Sequence, residues 1–191
     1  MIRVIAGQFK GRKLAFPRNR RFRPTLDRVK ESIFNVLGEE VKDKYVLDLF
    51  CGVGSLGIEA ISRGANRAVF VDNDNTVLDV ARKNIKNLSL ESRTQFILLD
   101  VLKLNKSVFA TLFRNTDQEK PTTGFDLVFA DPPYDKFYGN LLCELITKQD
   151  ILCFGGIFIL EHFKKEKLGH SSLKLIKHLK FGQTEVDFFI R

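Results

Sequence analysis

From Tyr45 onward, short and continuously apolar runs alternate with longer segments whose apolar residues recur every three or four positions. Val46-Leu47-Asp48-Leu49-Phe50, Ala68-Val69-Phe70-Val71, Gln95-Phe96-Ile97-Leu98-Leu99, Phe125-Asp126-Leu127-Val128-Phe129-Ala130 and Gly156-Ile157-Phe158-Ile159-Leu160 read as strands. Between them, helices are predicted at Ile58 to Arg63 (stopping at Gly64), at Asn75 onward with Leu78, Ala81, Ile85 and Leu88 on one face, at Leu104 to Phe113, and at Tyr138 to Ile146. Asn75 is the expected cap of the second of these. Strands apolar on both faces and separated by helices imply an α/β fold, a mostly parallel sheet covered on both sides. Leu173 to Leu179 and Glu185 to Ile190, either side of Gly182, predict a closing hairpin. The polar stretch Asn115 to Gly124, with Pro121, predicts an exposed loop.

The first forty residues follow a different grammar. Residues 2 to 16 alternate apolar and polar positions and predict a small β-ribbon turning near Gly7 to Gly11. Pro17 to Pro24 is a basic loop. Thr25 is the expected cap of a helix reaching Leu37, with Val29, Ile33, Val36 and Leu37 as its apolar stripe and Gly38 as its stop. The expected organisation is therefore a basic element, 1–40, packed on a domain formed by 41–191.

Charge sharpens that division. Residues 1–30 hold ten Lys/Arg and one acid, Asp27, a net of +9, while the remaining chain nets −1. Concentrating the excess at one end suits a polyanion-binding arm, and Arg12, Lys13, Arg18, Arg20, Arg21 and Arg23 are its candidate phosphate contacts. No apolar run approaches the ~18 residues of a membrane span, and the N-terminus lacks the apolar core of a signal peptide. Cys51, Cys143 and Cys153 form no CxxC pair and suit a reducing cytoplasm. His162, His170 and His178 lie eight apart, not at the i, i+4 spacing of a helical zinc pair, so no metal is expected.

Two motifs carry the chemistry. Gly52-Val53-Gly54-Ser55-Leu56-Gly57 fits G-x-G-x-x-G between a strand and a helix, a turn that brings backbone N–H groups against a ligand. No Lys-Ser/Thr follows, which argues against a P-loop. Asp48 sits inside the preceding strand, where a carboxylate would repel a pyrophosphate and favour a ligand bearing an ammonium group. Asp72, next to Asn73, is placed to hold ribose hydroxyls, and Asp100 to accept from an adenine amine. An adenosine with a cationic amino-acid tail is S-adenosylmethionine, which leaves S-adenosylhomocysteine as product; Asp48, Gly52, Gly54, Asp72, Asn73 and Asp100 are its candidate contacts. Each acid also has an ordinary reading as a helix cap.

The second motif, Asp131-Pro132-Pro133-Tyr134, ends a strand in a rigid corner. Proline fixes φ and offers no N–H, and Pro132 holds Asp131 extended. A carboxylate and carbonyls beneath an aromatic ring form an acceptor cluster for a planar NH2 group.

The glycine loop with Asp48, Asp72, Asp100 and Asp131 to Tyr134 resembles the Rossmann-like methyltransferases that modify exocyclic amines. Arg3-Val4-Ile5-Ala6-Gly7, Gly11-Arg12-Lys13-Leu14 and Arg23-Pro24-Thr25-Leu26-Asp27-Arg28-Val29-Lys30-Glu31 with Phe34-Asn35 resemble the bacterial 16S ribosomal RNA guanine-N2 methyltransferases, the RsmD type. That resemblance spans nearly the whole chain. It implies a seven-stranded sheet preceded by a small N-terminal element, and methylation of the N2 amine of one guanine in assembled or assembling small subunits. It also implies that Gly52, Gly54 and Asp72 hold the cofactor and Asp131, Pro132, Pro133 and Tyr134 hold the base. A cytoplasmic monomer is expected. The sequence departs from the family in carrying Asp72 where Glu is frequent, and in the length of 115–124. Alternatives are a DNA adenine-N6 methyltransferase, sharing the Asp-Pro-Pro-Tyr box, and a non-catalytic rRNA-binding assembly factor.

Overall fold

A computed structural model describes residues 2–17, 27–109, 124–169 and 172–191. Strands β1 (Ile2–Arg3) and β2 (Lys13–Leu14) pair antiparallel as the predicted ribbon. Gly7 and Gly11 both sit at φ +81, and a Cβ on Gly7 would overlap the Ser62 carbonyl. Helix α1 (Asp27–Leu37) follows; Thr25, its expected cap, lies outside the described residues. The helix buries Val29, Lys30, Ile33, Phe34 and Leu37, leaving Val36 exposed. The predicted stripe therefore placed Val36 wrongly and omitted Phe34.

The main sheet has seven strands in the order β5-β4-β3-β6-β7-β9-β8. They are β3 (Tyr45–Leu49), β4 (Arg67–Asp72), β5 (Thr94–Leu98), β6 (Phe125–Ala130), β7 (Leu152–Phe163), β8 (Lys174–Phe181) and β9 (Thr184–Ile190). The first five run parallel, and β9 pairs antiparallel with both β7 and β8. Successive side chains of β3, β4 and β6 alternate between two apolar layers. Val46, Ala68, Phe70, Leu127 and Phe129 face one layer, with α1, α2 (Ser55–Ser62) and α3 (Asn75–Asn87). Leu47, Leu49, Val69, Val71, Val128 and Ala130 face the other, with α4 (Gly139–Lys148).

Several boundaries differ from the sequence reading. Helix α2 starts at Ser55, inside the glycine motif, because Gly54 at φ +82 completes the turn. Asp74, not Asn75, caps α3 by accepting from the Thr76 N–H at 2.8 Å. β7 extends beyond 156–160 in both directions, past an irregularity opposite Phe125–Leu127. Of the predicted helix Leu104 to Phe113, residues 106–109 are helical and 110–113 lie outside the described residues, as does 115–123 of the predicted loop.

The ribbon is bound to helices α1 and α2 by a buried polar network. Glu59 on α2 accepts from the N–H groups of Ile5 (2.7 Å) and Ala6 (3.0 Å) and from Arg63 Nε (2.9 Å). Lys30, also fully buried, donates to the Arg3 carbonyl (2.6 Å) and Ser55 Oγ (3.1 Å) and lies 3.7 Å from Glu59. Burial pulls the Lys30 ammonium below the usual lysine range, with Glu59 opposing that shift. Glu59→Ala is expected to destabilise the fold by about 3–5 kcal/mol, because it strands a buried cation. Denaturant unfolding measures this, and a loss under about 1 kcal/mol would show the network to be incidental.

Candidate active site

Strand register brings the chemistry together. Leu49 pairs with Val71 on one side and Ala130 on the other, so Phe50, Asp72 and Asp131 each lie one residue past the paired ends. The order β4-β3-β6 makes this the point where crossovers diverge, at the carboxyl ends of parallel strands, where open α/β sheets bind ligands. A cavity of about 460 Å³ occupies it. Asp48, Gly52, Asp72, Asn73, Asp100, Asp131, Pro132, Pro133 and Tyr134 all line it.

Gly54 and Gly57 shape the loop side for different reasons. Gly54 supplies the left-handed turn. Gly57 is helical, but a Cβ there would lie 2.4 Å from Phe70 Cε1 and 3.1 Å from Asp48 Oδ2. The Phe70 ring is fully buried and stacked on Phe96 at 5.1 Å, so it cannot yield. Gly57→Ala is expected to cost about 1–3 kcal/mol by overpacking, seen as a lower unfolding midpoint. A midpoint equal to wild type would contradict the close packing.

Asp48 faces the apolar layer between Val46 and the cross-strand residues Phe70 and Phe129. Its Oδ2 accepts from the Gly57 N–H at 2.8 Å. Burial pushes its carboxyl up to about 8, against the stabilising N–H and with a smaller contribution from Asp72. Asp72 is half-buried; Oδ2 accepts from Gly52 N–H (2.9 Å) and Oδ1 from Asp74 N–H (3.0 Å). It therefore ties the end of β4 to the glycine loop, and burial raises its carboxyl too. Asp100 lines the cavity and also caps a helical turn, accepting from Leu102 N–H at 3.1 Å. The cap reading of that acid therefore holds, and the same residue borders the cavity.

Across the cavity, Asp131 is half-buried, Pro132 buried and Pro133 exposed. The Tyr134 hydroxyl donates to Glu161 Oε1 at 2.6 Å and accepts from Thr184 Oγ1 at 3.3 Å, and its ring stacks on Phe163 with centroids 6.4 Å apart. Burial raises the Tyr134 hydroxyl far above the usual tyrosine range, helped by Asp131 and Glu161, so it remains a donor. Three neighbours thus fix the ring in place.

The sequence reading missed Phe50, Ser55, Lys136 and Tyr138, which also line the cavity. Phe50 adopts φ +54 and stacks on Tyr138 at 6.1 Å. A bulky residue in the left-handed region costs about 1–3 kcal/mol and is a recurrent feature of functional sites; its place between a strand and a glycine turn was the available signal. Among the described lining residues there are four carboxyl groups and one lysine, Lys136. That balance disfavours a pyrophosphate and suits a cationic ligand. Arg12 and Lys13 are exposed on the ribbon and do not line the cavity. Arg18, Arg20, Arg21 and Arg23 lie outside the described residues.

The family model described as "Conserved hypothetical protein 95" matches residues 2–190. The chain is similar to "Putative rRNA methyltransferase YlbH" of Bacillus subtilis, 35% identical over 190 residues and covering 98% of both chains. It is 39% identical over 152 residues to ribosomal RNA small subunit methyltransferase D of Haemophilus influenzae, covering 80% of this chain and 70% of that one. Among solved structures, "Putative methyltransferase yhhF from Escherichia coli" superposes with a TM-score of 0.82 at 28% identity, covering 100% of this chain and 97% of that one.

Proposed function

Because the chain belongs to the conserved hypothetical protein 95 family, the methyltransferase family of ribosomal RNA small subunit methyltransferase D, we propose that it methylates the N2 amine of a guanine in 16S rRNA, using S-adenosylmethionine. The observation that carries this reading is the single cavity joining the glycine loop to the Asp-Pro-Pro-Tyr corner.

The residues fit the cofactor. Asp48 offers a buried carboxyl beside the loop for an ammonium group, Gly52 and Gly54 let the backbone approach, and Asp72 with Asn73 faces the position for ribose. Asp100 borders the position for adenine. When bound, S-adenosylmethionine supplies an already activated methyl group, so positioning accounts for most of the catalysis.

The guanine N2 lone pair is delocalised into the ring, which makes the amine a poor nucleophile. Asp131 and the Pro132 carbonyl accept hydrogen bonds from its two protons, favouring a tetrahedral nitrogen with its lone pair turned toward the methyl. S-adenosylmethionine would supply the methyl group and depart as S-adenosylhomocysteine, and Asp131 would take up the proton that the amine gives up. A fixed anion there stabilises the positive charge developing on nitrogen. Tyr134, held by Glu161, Thr184 and Phe163, presents its ring to the base, a stacking contact worth roughly 1–3 kcal/mol. The guanine must leave its stack to reach the corner. Residues 1–40 act as the RNA-binding element on the 41–191 domain, with Arg12, Lys13, Arg18, Arg20, Arg21 and Arg23 contacting phosphates and positioning rather than specifying.

Labelled methyl transfer from S-adenosylmethionine tests the reading, with small subunits from a strain lacking this protein, naked 16S rRNA and duplex DNA as acceptors. Label in ribosomal RNA is expected. Label only in DNA would transfer the chemistry to adenine, and cofactor binding without any transfer would favour an assembly factor.

A further inference from the structure

We propose that the turn after β7 and the tip of the β8–β9 hairpin form a second RNA-backbone site beside the acceptor corner, with Lys164, Lys165 and Lys180 as its phosphate contacts. This rests on the proposed reaction for the identity of the RNA.

Residues 163–182 contain six lysines and one acid, Glu166. Glu166 is buried, and its Oε1 accepts from the Gly139 N–H at 2.6 Å. Lys164, Lys165 and Lys180 are exposed. Lys180 lies 3.8 Å from Glu185, a carboxylate mostly turned inward, while its own side chain is 73% exposed. The surface offered to a partner is therefore positive.

Its location is fixed by contacts to the corner. Phe163, stacked on Tyr134, immediately precedes Lys164. The Lys164 N–H donates to the Gln183 carbonyl at 2.9 Å, joining the turn to the hairpin tip. Thr184, next along, donates to the Tyr134 hydroxyl. Lys180 precedes Phe181, which pairs with Thr184. The Arg28 guanidinium lies 6.0 Å over the Phe181 ring, so the hairpin tip also meets the start of α1, five residues after Arg23 in sequence. The lysines thus border the end of the cavity that would receive the base, whereas the cavity itself is lined by four carboxyls. A nucleotide whose base enters the corner leaves its phosphates outside. Exposed lysines on an edge strand also deter edge-to-edge pairing. That role accounts for Lys180, but not for Lys164 and Lys165, which lie in a turn.

The test measures binding of 16S rRNA and of small subunits across a range of salt, comparing wild type with Lys164→Gln/Lys165→Gln/Lys180→Gln. A control, Lys42→Gln/Lys86→Gln/Lys148→Gln, removes equal charge from the opposite end of the sheet. The rim variant is expected to lower the magnitude of the log K against log salt slope by about 2, at about 0.7 per lost single-strand contact. Its S-adenosylmethionine affinity should be unchanged, because none of the three lysines lines the cavity, and the control should keep the wild-type slope. A rim variant with the slope of wild type, or a control with an equal loss, overturns the site. Methyl transfer by wild type with an unchanged rim slope overturns the rim alone. Rim-dependent binding in a protein that transfers no methyl supports the rim and overturns the reaction.

Discussion

Asp131→Ala is expected to slow methyl transfer by about a thousandfold, the scale seen when one preorganised electrostatic contact to the transition state is removed. S-adenosylmethionine should still bind, because the loop side of the cavity is built from Asp48, Gly52 and Asp72 without Asp131. The reason lies in the corner. Pro132 and Pro133 offer no N–H, so neither competes with the amine protons for the Asp131 carboxylate and the Pro132 carbonyl, and the ring of Tyr134 is already fixed by Glu161 and Phe163. Single-turnover transfer and equilibrium cofactor binding separate the two effects. Loss of cofactor binding in this variant would assign Asp131 a structural role.

Asp48→Asn has the second large effect, and it has two opposite signs. Burial pushes the Asp48 carboxyl up to about 8, against about 3.9 in an unfolded chain. Below about pH 4 both states hold the proton and the group contributes nothing. Between about 4 and 8 the folded state holds a proton that the unfolded state has released, so stability falls as pH rises. The asparagine variant lacks that term. It should unfold at a higher temperature than wild type at pH 8, with the gap closing toward pH 4. The same substitution should weaken S-adenosylmethionine binding by at least about a hundredfold, since it removes the carboxyl that ionises beside the ammonium group. Ammonium binding beside a protonated Asp48 should also release a proton at pH 7. Calorimetry in buffers of different ionisation enthalpy would detect that release in wild type and not in the variant. Equal thermal stability of the two proteins at pH 8 would contradict the buried-carboxyl account.

Much of this site was legible because local sequence fixes local geometry. The G-x-G-x-x-G turn, the strand-end acids and the paired prolines constrain the backbone wherever they occur, and parallel register then brings them together. What escaped depended on contacts between distant segments. The Lys30–Glu59 pair joins residues 29 apart, and a lysine on a helix reads as solvated until its burial is seen. Glu161 lies 27 residues after Tyr134, inside a strand, with nothing local to mark its partner. The cap of α3 was misplaced by one residue because Asp74 and Asn75 are both good caps. The basic rim was hidden by addition. Summing charge from residue 31 onward gave −1, in which acids elsewhere cancelled the lysines of 163–182. Strand pairing, not sequence, brings Lys164 and Lys180 to the end of the sheet that holds Tyr134.

The measurement that bears most directly on the central claim is nucleoside analysis of 16S rRNA methylated by the purified protein, using small subunits from a strain lacking it. N2-methylguanosine, absent when Asp131→Ala replaces wild type, is the predicted product. Methylation of any other nucleoside, or N2-methylguanosine made equally well by the variant, would contradict the assignment of the Asp-Pro-Pro-Tyr corner to the guanine amine.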